Sequence, residues 1–191
     1  SSSSGAMRLP GRPSMRLRES SALDTGAPVI ELSADVAALE RATAHEITEL
    51  TRRATAATYY ADNLKPDEVA FIDRVVRISA ECVIEAGANA HQNLVTATLD
   101  GRLAGFVIAT VHAEDNRELD WLMVDPDFHG NGIASLLMRA GIAWLGDDRP
   151  MWLNVVRHNA RAIGFYRKHG FEIDPDAECP HVMPHWIMRR G

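Results

Sequence analysis

The 191-residue sequence contains little cysteine and no long hydrophobic run. Its two cysteines, Cys82 and Cys179, form neither a disulfide framework nor a Cys-x-x-Cys pair, so we expect free thiols in the reducing cytoplasm. The best apolar stretch, residues 105–111, is far shorter than the ~20 residues that a membrane helix needs, and the first residues lack a secretory signal. The sequence therefore predicts a cytoplasmic protein that does not bind a membrane.

An excess of basic residues is also missing. Lysine and arginine number 20 against 26 aspartates and glutamates, which gives a net charge of −6 with histidine neutral. This balance offers no general attraction to phosphate backbones, so we expect no nucleic-acid partner. Hydrophobic residues make up 46% and charged residues 24% of the chain, as in ordinary globular proteins, and the length suits one domain.

The chain divides into a short arm and one domain. Residues 1–27 are rich in serine, arginine, glycine and proline and show no helical or strand period, which predicts a disordered arm that includes a tag remnant. Residues 28–191 then form a single domain. Its first part carries a short strand from Val29 to Leu32 and two amphipathic helices, one from Val36 to Ala57 capped by Ser33 and one from Pro66 to about Gly87.

The second part of the domain alternates strands and helices. Residues 94–99 and 103–111 flank Asp100-Gly101, a pair typical of a two-residue hairpin turn. The run 118–124 is too apolar for a strand with one solvent-exposed face, so the sequence predicts a central strand here. A helix over 133–144, a strand over 151–156, a helix from Asn159 to Gly170 and two short strands, 171–173 and 185–188, complete the expected order.

The most informative segment is the loop between Val124 and Ala134, where a buried strand ends and a helix begins. A strand-to-helix turn presents unpaired backbone N–H groups at the positive end of the helix dipole, and glycines let an anion approach closely. The spacing suits a pyrophosphate. A P-loop is excluded because no Gly-Lys-Ser/Thr follows, and a Rossmann site is excluded because the preceding strands form an antiparallel hairpin.

Two motifs make the region 94–173 resemble the GNAT superfamily of acyl-CoA-dependent N-acyltransferases. The first is Val124-Asp-Pro126 followed by His129-Gly-Asn-Gly132-Ile-Ala134, similar to the family's Val-x-Pro and Arg/Gln-x-x-Gly-x-Gly/Ala. The second is Asn159-Ala-Arg-Ala-Ile-Gly-Phe-Tyr166, closed by Gly170 and Phe171. The resemblance implies a mixed α/β fold: a mostly antiparallel sheet of six or seven strands, a splayed central strand pair and about four flanking helices.

The same resemblance implies the residues that bind acetyl-CoA. Pantetheine would lie in the gap beyond the splayed strands and pair with the backbone near Met123 and Val124. The remaining expected contacts come from the loop and the following helices: His129, Gly130, Asn131, Gly132, Ile133, Ala134, Asn159 and Tyr166. His129 departs from the family's arginine or glutamine, and a histidine with a pKa of ~6.5 is mostly neutral at pH 7. We therefore expect the affinity for the coenzyme to be lower than in relatives with arginine or glutamine at this position, or to rise as the pH falls.

Three catalytic residues follow from the resemblance. Glu118, either directly or through water with Asp120, would accept the proton of the attacking amine; the alternative is a solvated strand end whose acids pair with arginines. Tyr166 stands where the family has the tyrosine that protonates the departing thiolate; the alternative is ordinary aromatic packing. A backbone N–H beside Met123 or Val124 would stabilise the oxyanion. Asn159 would cap its helix in either case.

Other candidate residues carry less information. Cys179, His181 and His185 cluster in the tail but match no familiar zinc spacing, so we expect no metal. Tyr59, Tyr60 and Trp121 either line an acceptor pocket or pack in the core.

The sequence thus predicts an N-acetyltransferase that moves an acetyl or other short acyl group from acetyl-CoA to a primary amine of a small molecule or peptide by direct attack. The alternatives are a noncatalytic acyl-CoA sensor and a toxin-like aminoacyl-tRNA acetyltransferase. The family resemblance is compatible with a homodimer.

Overall fold

A computed structural model describes residues 27–34 and 44–191 of the chain. The arm predicted for residues 1–27 falls almost entirely outside these residues, as does the first part of the predicted first helix, with Val36 and Leu39. Among the described residues, no helix is long and apolar enough to cross a membrane.

The described part of the chain forms one sheet of seven strands with four helices. The strands are β1 (Ile30–Ser33), β2 (Gln92–Leu99), β3 (Arg102–Ala113), β4 (Asn116–Val124), β5 (Met151–Val156), β6 (Glu172–Asp174) and β7 (His185–Arg190). The helices are α1 (Ala44–Tyr59), α2 (Pro66–Ala88), α3 (Ile133–Leu145) and α4 (Ala160–Lys168). The predicted mixed α/β architecture is confirmed, and each predicted element of this region is present.

The sheet follows the order β1-β2-β3-β4-β5-β7-β6, and every neighbouring pair is antiparallel except β4 and β5. The hairpin between β2 and β3 turns at Asp100 and Gly101, whose φ angles of 50° and 78° are those of a turn with two left-handed residues. β4 lies in the middle of the order, as its continuous apolar character predicts.

Helices cover both faces of the sheet. Successive residues of β3 point to opposite sides, so Phe106 and Ile108 pack under α1 and α2, whereas Val107 and Ala109 pack under α3. All four of these side chains are buried, which explains why the run is apolar without alternation. The core thus consists of two layers that share the central strands.

The two central strands separate soon after they meet. β4 and β5 pair at a single register position, Glu118 with Trp152, and diverge from there toward Val124 and Val156. The expected splay is confirmed. Because alternate backbone groups of β4 point away from β3, those beyond Asp120 face the gap without a strand partner.

Close packing against β3 fixes the end of β4. A Cβ added at Gly105 would lie 2.7 Å from the backbone carbonyl oxygen of Met123 and 3.0 Å from Leu137 Cδ1. A backbone atom cannot move aside as a side chain can. Glycine is therefore required at this position for β4 to approach β3 so closely.

We expect Gly105→Ala to lower the free energy of unfolding by about 1–3 kcal/mol because the added methyl group overpacks this contact. Urea denaturation measures the change. Gly164→Ala is the matched control: its added Cβ meets no atom within 4 Å, and alanine in the helix should be neutral or stabilising by up to ~1 kcal/mol. Equal effects of the two substitutions would show that Gly105 does not set the strand spacing.

Candidate functional site

A cleft of about 350 Å³ opens where β4 and β5 separate. Its walls come from the C-terminal half of α1, the ends of both strands, the loop after β4 and the first two turns of α4. The side chains that border it include Thr55, Tyr59, Leu122, His129, Asn154, Asn159, Arg161 and Tyr166. Since α1 lies on one face of the sheet and α4 on the other, the cleft passes through the sheet.

The loop between β4 and α3 forms the cradle, defined here as residues 129–134. Gly130 and Gly132 adopt φ angles of 87° and 78°, which L side chains rarely accept. No backbone N–H of Gly130, Asn131 or Gly132 has a hydrogen-bond partner among residues 27–34 and 44–191, and the helical bonding of α3 starts with Leu136 N–H on the Gly132 carbonyl at 3.1 Å. The cradle therefore offers free donors at a helix N-terminus.

Open space lies in front of these donors. A Cβ added at Gly130 or Gly132 would meet no protein atom within 4 Å, so neither glycine is required by crowding within the protein. A side chain at either position would instead occupy the space in which an anion reaches the N–H groups. This geometry fits the pyrophosphate that the sequence predicts.

An ion pair between a buried carboxylate and an exposed arginine holds the base of the cradle. Asp125 is fully buried, and its carboxylate accepts hydrogen bonds from Asp127 N–H at 3.1 Å and from Arg53 Nε at 3.1 Å. Burial alone would raise the pKa of Asp125, but the hydrogen bonds from Arg53 and from the Asp127 backbone lower it below its usual value. Arg53 lies in α1, so the pair fastens the helix of one wall to the loop of the other.

The cation that borders the cradle is Arg161 rather than His129. Burial and the charge of Arg161 lower the pKa of His129, despite a hydrogen bond to the Val124 backbone, so the imidazole is neutral at pH 7. Arg161 is exposed in the first turn of α4, where the helix dipole disfavours a cation. Arg161 is not among the predicted site residues, although a positive charge at a helix N-terminus is itself a signal for an anionic ligand.

Two phenols, those of Tyr59 and Tyr166, also line the cleft. Tyr166 packs edge-on against Phe165 and Phe171, and its hydroxyl has no protein partner in the described residues. Burial, with a smaller effect of Tyr59, raises the pKa of Tyr166. Tyr59 faces it from α1, and burial raises the pKa of Tyr59 to about 12. Both phenols therefore keep their protons at neutral pH.

The predicted capping residue takes its expected place, whereas the three predicted pocket aromatics lie in different environments. Asn159 caps α4 as predicted, since its Oδ1 accepts a 3.0 Å hydrogen bond from Ala162 N–H. Of the candidate pocket residues, Tyr59 borders the cleft, Tyr60 is 56% exposed, and Trp121 packs against Phe106 with ring centroids 6.4 Å apart.

Glu118 and Asp120 lie on β4, just before the cleft. The register of β4 against β3 shifts at this point: Ile108 opposes Trp121 and Ala109 opposes Leu119, so Asp120 forms a β-bulge. Glu118 is buried, and its Oε2 lies 2.7 Å from His112 Nε2. The partner of Glu118 is thus a histidine that the sequence analysis missed, not an arginine.

Both carboxyl groups hold protons more tightly than usual. Burial raises the pKa of Glu118, although the hydrogen bond and charge of His112 oppose this. Asp120 keeps contact with water on one side, yet the surrounding protein and the charge of Glu118 raise its pKa to about 7. A group with this pKa can accept a proton and release it near neutral pH.

The tail residues that were considered for a metal make other contacts. His185 Nδ1 lies 2.6 Å from the Met183 carbonyl oxygen, and Cys179 Sγ lies 3.5 Å from Asn154 Oδ1. The part of the chain that the structure describes contains no group of three or more His, Cys, Asp or Glu side chains able to hold a metal ion.

Comparison with known proteins gives concordant results. The family described as "Acetyltransferase (GNAT) family" matches residues 45–171. An uncharacterized N-acetyltransferase of Mycobacterium bovis is 32% identical over 112 residues, which cover 57% of this chain and 70% of that protein. The crystal structure of the PaiA N-acetyltransferase of Thermoplasma acidophilum in complex with coenzyme A superposes with a TM-score of 0.65 at 21% identity, covering 84% of this chain and 98% of that one.

We expect Arg53→Met to destabilise the protein by about 1–3 kcal/mol at pH 7, because it leaves the Asp125 carboxylate buried without its charged partner. With Arg53 present, the pKa of Asp125 is low, and its contribution to stability is lost only as the pH falls through that low value. In the variant, burial raises the pKa instead. The difference between wild type and variant should therefore shrink between pH 7 and pH 4.

Urea denaturation at several pH values measures this difference. Arg52→Met is the matched control, because Arg52 forms only an exposed pair with Glu49 and its loss should cost less than ~0.5 kcal/mol. A stability difference for Arg53→Met that is independent of pH would contradict the assigned role of the ion pair.

Proposed function

Because the chain belongs to the GNAT acetyltransferase family, we propose that it transfers an acetyl group from acetyl-CoA to a primary amine of a small molecule or peptide, in the cytoplasm, by direct attack within a ternary complex. The observation that carries this proposal is the cradle of free backbone N–H groups at the mouth of a cleft that crosses the sheet. Such a cleft admits the donor from one face and the acceptor from the other.

The cradle residues are suited to hold the coenzyme. The N–H groups of Gly130, Asn131 and Gly132, with those of Ile133 and Ala134 in the first turn of α3, would bind its pyrophosphate. His129 would contribute a neutral hydrogen-bonding group and Arg161 a positive charge, while Asn159 borders the same cleft. The unpaired edge of β4 at Met123 and Val124 would pair with the pantetheine amides. When bound, acetyl-CoA supplies the thioester that makes the acyl group transferable.

The acceptor amine requires a base. An alkylamine has a pKa of ~10 and arrives protonated, so the protein must remove a proton before the nitrogen lone pair can attack. Glu118 and Asp120, with raised pKa values beside the cleft, are the groups that support this role. A backbone N–H of the β4 edge near Met123 would stabilise negative charge on the acyl oxygen.

Tyr166 would complete the reaction from the opposite wall. Tyr166 lines the cleft and its hydroxyl stays protonated, so it would donate a proton to the departing thiolate. The environments of the cysteines support direct attack by the amine, without an acyl intermediate on a thiol. Burial, assisted by the charge of Asp120, raises the pKa of the Cys82 thiol, and Cys179 contacts Asn154. The Cys82 thiol is therefore not an activated nucleophile.

The test is release of free thiol from acetyl-CoA in the presence of amino acids, polyamines, aminoglycosides and peptides, with acetyl-CoA binding measured in parallel by calorimetry. Amine-dependent thiol release together with an acetylated product would support the proposal. Binding without turnover on any amine would favour an acyl-CoA sensor. Absence of binding would contradict the role of the cradle.

We expect Tyr166→Phe to lower kcat by ~10²-fold or more, since the variant keeps the ring packing but loses the proton donor. The Kd for acetyl-CoA should stay within a factor of about three, because one removed neutral hydrogen bond is worth little in binding. Tyr60→Phe makes the same chemical change at an exposed position and should leave kcat unchanged. An unaltered kcat in Tyr166→Phe would remove this residue from the mechanism.

A further inference from the structure

Asn154 interrupts the apolar strand residues along the cleft. On β5, the side chains of Met151, Leu153 and Val155 pack in the core beneath α3 and α4, so those of Asn154 and Val156 point to the face that α1 and α2 cover. Among the described strand residues that border the cleft, Asn154 alone has a polar side chain. The cradle begins α3 on the other face, so Asn154 lies on the side from which the proposed acceptor would enter.

The two ends of the Asn154 amide have different surroundings. Its Oδ1 accepts a 3.5 Å hydrogen bond from Cys179 Sγ. Its Nδ2 has no hydrogen-bond partner among residues 27–34 and 44–191, and it is not enclosed by the protein. A thiol proton is donated to an oxygen, so the contact with Cys179 holds the amide with its N–H groups free for a ligand in the cleft.

These free N–H groups restrict the chemistry of the acceptor. An ammonium group only donates hydrogen bonds, and the lone pair of the neutral amine is needed for the attack, so Asn154 would bind an oxygen atom elsewhere on the acceptor molecule. A peptide carries such an oxygen beside its α-amino group, in the carbonyl of its first residue. A lysine side chain or a polyamine has no oxygen close to its amine.

The charges along the cleft favour the same class of acceptor. No aspartate or glutamate of the described residues borders the cleft, and Arg161 is the cation that does. The cleft therefore offers no carboxylate to bind the further charges of a polyamine. An α-amino group has a pKa of ~8 against ~10 for lysine, so its neutral fraction at pH 7 is ~10²-fold larger. Such an amine depends least on a base that lines the cleft.

We propose that Asn154, oriented by Cys179, is a specificity-determining residue that donates a hydrogen bond to the carbonyl oxygen beside the acceptor amine, and that the acceptor is the α-amino group of a peptide. The inference rests on the proposed acetyl transfer. Lysine side chains and polyamines are then poorer acceptors, because they leave the Asn154 N–H groups without a partner.

Values of kcat/KM for two kinds of peptide test the assignment. Tripeptides that differ in their first residue and have a free α-amino group are compared with a lysine-containing tripeptide whose N-terminus is blocked. The wild type should prefer the best free tripeptide by ~10-fold or more. Asn154→Leu should lower kcat/KM for that tripeptide by ~10-fold or more and leave kcat/KM for the lysine peptide within about threefold.

The coenzyme serves as the internal control in Asn154→Leu. Thermal unfolding and the Kd for acetyl-CoA should match wild type, which shows that the variant is folded and that Asn154 does not act through the donor. A Kd that weakens in proportion to kcat/KM would assign Asn154 to the coenzyme and overturn the proposal. An unchanged preference for the free tripeptide would overturn it as well.

The orienting role of Cys179 has a separate test. Cys179→Ala frees the Asn154 amide and should lower the preference for the free tripeptide by about 3–10-fold, whereas Cys179→Ser keeps a proton donor and should restore it. Cys82→Ala is the matched control at a cysteine that does not border the cleft, and it should leave the preference unchanged. A serine variant that behaves like the alanine variant would contradict the orienting role.

NMR of the Asn154 side-chain amide separates this inference from the proposed function. With coenzyme A bound, no acetyl group is available, and the amide signal should shift with the free tripeptide but not with propylamine. If thiol release fails with every amine and this shift is seen, acetyl transfer is wrong and peptide recognition by Asn154 stands. If the wild type acetylates the lysine peptide as well as the free tripeptides, acetyl transfer stands and this inference is overturned.

Discussion

The separation of β4 from β5 is the constraint on which the site depends. The two parallel strands share one register position, Glu118 with Trp152, and the backbone beyond it has no partner strand. Unpaired backbone groups inside a protein are costly unless something satisfies them, which supports the proposed pairing of this edge with the amide groups of pantetheine. The gap also lets α1 on one face and α4 on the other contribute to one cleft, which brings Tyr59 and Tyr166 together.

The proposed anion site at the end of that gap relies mainly on backbone N–H groups, with the charge of Arg161 beside them. The free N–H groups of the cradle, the dipole of α3 and Arg161 supply the positive potential, since His129 is neutral at pH 7. The carboxylate beneath the cradle would oppose an anion if it were unpaired. Arg53 neutralises Asp125 and ties α1 to the loop, so one ion pair links the α1 wall of the cleft to the cradle.

Local sequence signals predicted most of this arrangement. Asp100-Gly101 predicted the hairpin, Asn159 the start of α4, and the glycines of the cradle its open backbone conformation, because each acts through its own backbone or its nearest neighbours. The missed residues act over longer distances. Arg53 is 72 positions from Asp125, and the bulge at Asp120 depends on the register between two strands. The contact of His112 with Glu118 depends on the same pairing, which residue spacing in a single strand does not encode.

The most direct measurement of the central claim is the change in backbone amide shifts when coenzyme A is added to the labelled protein. The account predicts large, saturable shifts for Gly130, Asn131 and Gly132 with coenzyme A, and none at these residues with pantetheine, which has no pyrophosphate. Cradle amides that stay unshifted by coenzyme A, or that respond equally to both compounds, would show that the loop does not bind the pyrophosphate.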